Sequence, residues 1–284
     1  MDVKFGLKWY KCDFHLHTVG SECFEDKTIT AKQWVEEAIK KNLDCIAITD
    51  HNTGVSIDEI KKEAENKSLI IFPAVEITCD TSKIHLLILF DVDKSSEDVN
   101  DFLIKCDIDR SKFGKQDAYT SKSVLEVAKS ANANGCLIIP AHIDEFNGLG
   151  SLSHDILNEF LNLPYINAVQ FVHEKFLESS LVINGNEELK NYIDLYYDSN
   201  IDYTNIKDWY SPINKAKELK KALLTFSDNP HSEKSSHHGL WGIGNKYSWI
   251  KMEQKPSLES LRQSFLLPEL RVRNCYQNVK SPYI

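Results

Sequence analysis

The sequence predicts an α/β protein, read as a closed parallel α/β barrel with an open doubly wound sheet as the alternative. Three observations carry this reading. Short β-branched runs recur at residues 11–15, 44–49, 69–78, 84–90, 136–141, 166–172 and 222–227. Most of them are continuously apolar, as expected of parallel strands covered on both faces. Helix-start signals of the Ser/Thr-x-x-Glu/Gln type fall between them.

Thr30-x-x-Gln33 opens a helix ending near Asn42, and Ser56-x-x-Glu59 opens one ending near Asn66. Ser123-x-x-Glu126 opens a third, which stops at Asn134-Gly135 because glycine suits the left-handed helix terminus. Ser211-Pro212 opens another, to about Lys221, with proline at the first helical position. The stretch 144–210 lacks simple periodicity and is read as an irregular elaboration on the barrel, with short helices at 154–161 and 187–197. Residues 1–273 thus form one domain, and 274–284 an irregular tail. Its abrupt end suits a chain cut from a longer protein.

Composition excludes several classes. The chain has 284 residues, 42% hydrophobic and 26% charged, the mix of a globular protein and not of a collagen-like or disordered one. The longest apolar stretches, Leu69–Val75, Leu86–Phe90 and Leu137–Ala141, are strand-sized and far short of the ~18–20 residues of a membrane span. The N-terminus lacks the apolar core of a signal peptide, so a cytoplasmic location and no membrane partner are expected. With 33 Lys+Arg against 42 Asp+Glu, the net charge of −9 gives the bare chain no global attraction for nucleic acid. Seven cysteines, an odd number without a CxxC pair, argue against a disulfide framework and a zinc ribbon, and for buried thiols in a reducing compartment.

The strand ends hold the chemical signal. Strand one runs into His15-Leu16-His17, whose imidazoles point to one side of an extended chain and can share an ion. Glu22 follows five residues later. Strand two ends in Thr49-Asp50-His51, strand three carries Glu76, strand four begins at His85, strand five ends in His142, and strand seven in Asp228-Asn229-Pro230-His231. Strand ends converge on one rim of a barrel, the face where such folds carry their chemistry. A multinuclear metal site is therefore expected.

These motifs, taken in order, resemble the PHP (polymerase and histidinol phosphatase) superfamily. The resemblance implies a distorted seven-stranded TIM-like barrel, two or three divalent metal ions and phosphoester hydrolysis. It implies a first metal held by His15, His17, Glu76 and Asp228. Glu76 bridges to a second ion held also by His85 and His142; Glu22, His51 and His231 hold a third. Two departures from the family pattern stand out. Glu22 occupies a position that is Asp or His in many members, with Cys23 beside it. The last motif is commonly Asp-x-His, whereas Pro230 lengthens the spacing here, so that His237 or His238 is an alternative to His231.

A narrower resemblance, carried by residues 84–90, 247–251 and 258–265, is to the N-terminal domain of large PHP–ATPase proteins of the TrlF-like group, some of which act in DNA metabolism or phage defence. It implies an ATPase module or subunit as a partner, although the chain itself contains no GxxxxGK[ST] phosphate loop.

Histidine and carboxylate donors without thiolate fit Zn²⁺, Mn²⁺ or Fe²⁺. A metal pair activates water and clamps the attacking and leaving oxygens of a displacement, so Glu76, Asp228 and His142 are expected to carry catalysis. Asp50 either orients His51, takes a proton or caps a turn. His173, at the end of strand six, is read either as a substrate or metal contact or as a polar strand end. His238 lies in the 229–244 loop, either a lid or a surface loop. Lys246 and Arg271 are either phosphate contacts or solvated cations. The leading expectation is a nuclease; the alternatives are a histidinol-phosphatase-type monoesterase and a catalytically silent regulatory module.

Overall fold

Three parallel strands, β1 (Lys8–Leu16), β2 (Cys45–Ile48) and β3 (Ile70–Thr78), form the centre of the sheet in the computed structural model. The structure describes residues 6–178, 186–197 and 209–277. Helices α1 (Ala31–Lys40) and α2 (Ile57–Ala64) make the crossovers that parallel neighbours require. β4 (His85–Leu89) departs from the expected all-parallel pattern and runs antiparallel to β3. Residues 79–84 alone join the two strands, too short a link for a crossover of about a dozen residues. β5 (Leu137–Pro140) is antiparallel to β4, after α3 (Ser96–Lys105) and α4 (Val124–Ala133).

On the other side, β8 (Ser248–Met252) pairs antiparallel with β1, and β9 (Val272–Asn274) antiparallel with β8. Sequence patterning marked neither as a strand, since β8 alternates and β9 is three residues long. The sheet order is β5-β4-β3-β2-β1-β8-β9. A separate parallel pair, β6 (Ala168–Gln170) and β7 (Ala222–Leu224), fills the gap between β5 and β9. Ile143 N–H donates to Gln170 O at 3.0 Å on one side, and Cys275 N–H to Thr225 Oγ1 at 2.9 Å on the other. The architecture is a curled, distorted α/β barrel of mixed strand direction.

Alternation along the strands divides the core in two. Tyr10, Cys12 and Phe14 of β1, Phe72 and Ala74 of β3, Leu87 and Leu89 of β4 and Leu224 of β7 pack in the barrel interior. Helix α8 (Leu258–Phe265) plugs it with Leu258, Leu261 and Phe265. The opposite faces, with Ile46, Ile71, Ile88 and Val169, pack beneath the helices against Trp34, Phe102 and Val127. Thr30 and Ser123 form the expected capping boxes, and Gly135 (φ 72°) takes the left-handed position after α4. Ser56 does not cap α2; its hydroxyl bonds Thr18 Oγ1 at 2.7 Å instead.

Within the irregular stretch lie α5 (His154–Asn162), α6 (Asn186–Tyr197) and, at its end, α7 (Ser211–Glu218). Residues 179–185, 198–208 and 278–284 lie outside the described residues. Helix α9 (Pro268–Arg271) precedes β9. No described helix is long and apolar enough to cross a membrane.

Phe14 anchors the interior, with ring centroids 5.5 Å from both Phe72 and Phe226. Phe14→Ala is expected to cost about 3–5 kcal/mol, read as a lowered denaturant midpoint with an unchanged slope. A midpoint within experimental error of wild type would refute this role.

Candidate metal centre

A β-bulge opens the site. The β1–β2 register shifts between Asp13 and Leu16, so Leu16 joins the residues under the helices and the parity of the strand is switched. His15 and His17 are thereby turned towards the barrel mouth. Glu76 and His85 reach it by simple alternation, two residues beyond the inward-facing Ala74 and two before Leu87. His142 (φ 26°) and Asp228 (φ 48°) reach it through left-handed backbone, a strained arrangement that costs of order 1 kcal/mol or more at each. His51 lies across a bridge from Glu76, fixed by Asn52 N–H donating to Glu76 O at 2.9 Å.

Glu76 is the hub. Its carboxylate lies 3.3 Å from His15 Nε2, 3.4 Å from His17 Nε2, 3.0 Å from His51 Nδ1, 2.7 Å from His85 Nδ1 and 3.4 Å from His142 Nε2. Asp228 Oδ1 lies 3.3 Å from His15 Nε2 and 3.1 Å from the Nε2 atoms of His17 and His238. Despite this proximity, both Glu76 oxygens, His51 Nδ1 and His85 Nδ1 are buried without an aligned hydrogen bond. Such atoms are costly unless a partner satisfies them. Lone pairs that crowd together without pointing at one another fit a shared cation, and the donor set suits a divalent transition metal.

The histidine tautomers support this fit. Ser21 Oγ donates to Asp50 Oδ1 at 2.7 Å, since a carboxylate only accepts; it must therefore accept from His17 Nδ1 at 3.1 Å, which leaves His17 Nε2, 3.1 Å from Asp228 Oδ1, as the nitrogen that would bind a metal once it gives up its proton. With Gln170 Oε1 accepting from His15 Nδ1 at 2.8 Å, His15 Nε2 is freed likewise. Asn229 clamps the loop, accepting from His17 N–H at 2.6 Å and donating to His17 O and Gly239 O at 3.0 Å. Asp13, whose carboxyl burial pushes up to about 6 against its hydrogen bonds, accepts from Ser227 N–H, Ser227 Oγ and Gly244 N–H.

The electrostatics are those of a centre short of positive charge. Burial opposes ionisation of Glu76, but the imidazoles of His85, His15 and His51 overcome it and hold the carboxyl well below its usual range. Burial disfavours protonation of His17, yet the carboxylates of Asp228 and Glu76 raise it to about 10. Burial acts the same way on His142, and Glu76 raises that histidine to about 9. His238, desolvated and beside His17, falls to about 4. Protons thus occupy part of the cluster that metal ions would claim.

Of the residues singled out in sequence, His15, His17, His51, Glu76, His85, His142 and Asp228 converge here, and Glu22 and His231 do not. The turn Ser21–Phe24, closed by Phe24 N–H to Ser21 O at 3.1 Å, leaves Glu22 exposed and turns Cys23 inwards. The 229–239 segment folds back on itself, with His231 N–H donating to His237 O at 2.7 Å; His231 stays at the surface and His238 enters the cluster. Gly239 permits this return, because a Cβ there would stand 2.7 Å from His231 Nδ1. Asp50 accepts from Thr18 N–H at 2.7 Å, Thr18 Oγ1 and Ser21 Oγ, and so ties down the turn beside His17.

His173 is buried beside the rim, 3.4 Å from Glu145 Oε1 and 3.1 Å from the Tyr192 hydroxyl, among Phe176, Tyr196 and Trp209. Lys246 Nζ donates to Val172 O at 3.2 Å. Arg271 precedes β9, whose Val272 pairs with Ile250 in the half of β8 that pairs with the start of β1, so it lies at the barrel end opposite the cluster. Sequence reading missed Gln170, Ser21 and Asn229 as supports; only the proximity of Ser21 and Asn229 to ligand motifs marked them.

A family model described as PHP domain matches residues 13–229. Among solved structures, the chain is similar to the lesion-specific endonuclease EndoQ of Pyrococcus furiosus, with a TM-score of 0.58 and 15% identity over 94% of this chain and 57% of that one. It is also similar to a two-domain Bacteroides vulgatus protein containing a predicted PHP-like metal-dependent phosphoesterase, with a TM-score of 0.54 and 16% identity over 95% of this chain and 65% of that one. In both cases it spans less than two thirds of the neighbour's length. The curated proteins contain no match to the sequence.

Two outcomes follow from this geometry. At pH 7, His17 and His142 are protonated in the metal-free protein, so metal uptake should release protons and affinity should rise as pH increases towards 9. Calorimetric titration in buffers of different ionisation enthalpy checks this, and zero net proton release would contradict it. Gln170→Leu should weaken metal binding about 10–100-fold by freeing the His15 ring, with secondary structure retained. Unchanged affinity in a competition titration with a chelator would show that Gln170 does not support the site.

Proposed function

The chain belongs to the PHP domain family, and from that premise we propose that it is a metal-dependent nuclease that hydrolyses phosphodiester bonds. The observation that carries the reading is the Glu76 carboxylate, buried among five histidines and unsatisfied by hydrogen bonds. Divalent ions, when bound, polarise a phosphoester and supply an activated water, so no serine or cysteine nucleophile is required. Glu76 would join two ions; His15, His17 and Asp228 would complete one position, and His85 and His142 another. Ser21 and Gln170 hold two of these rings in the metal-binding tautomer.

The nuclease assignment draws on the likeness in fold to an endonuclease and on the suitability of a cationic well for phosphate. A role in nucleic-acid processing or phage defence rests on the narrower resemblance carried by residues 84–90, 247–251 and 258–265. The net charge of −9 argues that a further module or subunit, such as an ATPase, holds the strand, since phosphate contacts need positioned cations. The free cysteines fit a reducing cytoplasm.

The test compares bis-p-nitrophenyl phosphate, p-nitrophenyl phosphate and a labelled single strand, each with Zn²⁺, Mn²⁺ or Fe²⁺. Hydrolysis of the diester and the strand is expected. Monoester-only turnover would overturn the nuclease reading in favour of a phosphatase, and bound metal with no turnover on any substrate would favour a silent module. Glu76→Ala and Asp228→Ala should each lower turnover by at least about 100-fold while leaving the circular dichroism spectrum unchanged, because neither side chain belongs to the apolar core. Wild-type-like turnover in either variant with metal still bound would refute the site assignment.

A further inference from the structure

We propose that Cys23 is a metal ligand of this centre, and that its thiolate, with His51 and His238, makes the third position selective for thiophilic ions such as Zn²⁺ or Fe²⁺. The inference rests on the metal-centre reading above and adds a donor of a different chemical class from the carboxylate expected at Glu22.

Buried His17, Cys23, His51 and His238 bring donor atoms within 4.8 Å of one another. Cys23 Sγ lies 3.0 Å from His238 Nδ1. The backbone fixes this approach: His238 N–H donates to Cys23 O at 2.9 Å and Glu25 N–H to His238 O at 2.9 Å. A second observation is independent of the thiol: buried His51, in the same donor group, makes no aligned hydrogen bond through Nδ1, which lies 3.0 Å from the Glu76 carboxylate.

The other buried cysteines behave differently. Cys12 and Cys45 pack in the barrel interior, and Cys79, Cys106 and Cys136 pack under the helices, all as small apolar side chains. Cys23 is equally buried but belongs to neither apolar cluster; its neighbour is an imidazole. A thiol placed among imidazoles and carboxylates gains little from hydrophobic burial. As a thiolate, with its proton displaced by the ion, it becomes the softest donor in the centre and shifts selectivity from Mn²⁺ or Mg²⁺ towards Zn²⁺ or Fe²⁺.

Cobalt(II) substitution tests this without an activity assay. Thiolate ligation produces a near-ultraviolet sulfur-to-cobalt charge-transfer band, whereas histidine and carboxylate ligation produces only weaker visible bands. The wild type should show both. Cys23→Ser should lose the near-ultraviolet band and about one equivalent of cobalt; Cys23→Asp should lose the band but keep the equivalent, since a carboxylate can replace the donor. Glu22→Ala, at an exposed position, should change neither. Visible bands without the near-ultraviolet band in the wild type, or persistence of that band in Cys23→Ser, would overturn the role of Cys23 while leaving the histidine–carboxylate centre in place. A wild type that takes up no cobalt would overturn the metal-centre reading itself. The wild-type spectrum and Cys23→Asp decide the matter if Cys23→Ser does not fold.

Discussion

The rest of the molecule is arranged around one buried carboxylate. Glu76 sits at the end of the central strand β3, away from water, and a charge in that position is tolerated only with close compensation. Five imidazoles supply the surroundings, delivered by β1, the residues after β2, the start of β4 and the end of β5. No single helix or hairpin could present them together. The curl of the sheet is what brings ends distant in sequence within 3.4 Å of one carboxyl group.

That requirement explains the irregular features of the backbone. The bulge in β1 costs regular pairing with β2 but turns His15 and His17 inwards. Left-handed backbone at His142 and Asp228 is unfavourable by itself, and it persists because the surrounding framework over-determines it. Beneath this strained rim the barrel interior is ordinary apolar packing, with Phe14, Phe72 and Phe226 in mutual contact or shared contact through Phe14. The division places apolar packing in the barrel and the buried polar cluster at its mouth.

The supporting hydrogen bonds form a second tier of the same design. Asp50 acts through Ser21 on His17, and Gln170 acts on His15, each fixing which ring nitrogen remains available. Asn229 and Asp13 tie the Asp228 segment to β1 across more than two hundred residues of sequence. On the function proposed above, an acidic chain would hold a locally cationic centre once metal is bound: global charge would govern approach of a polyanion, while the few ångströms around Glu76 would act on a phosphate already there.

The strand-end motifs, the apolar runs and the capping boxes at Thr30 and Ser123 can be read from residue order alone, because they depend on neighbours within a few residues. His15, His17, His51, Glu76, His85, His142 and Asp228 were legible for the same reason: each sits at a recognisable strand end. Strand direction was not legible. A continuous apolar run reports burial on both faces and says nothing of polarity, so antiparallel β4 was indistinguishable from its parallel neighbours, and three-residue β9 carried no pattern at all. That Glu22 stays exposed while Cys23 turns inwards, and that His238 and not His231 enters the cluster, depends on pairing between distant segments. A turn sends adjacent side chains in different directions, and a loop that folds back can bring in a residue seven positions later; backbone pairing of residues 23–25 with His238 settles both, and that pairing joins segments more than two hundred residues apart.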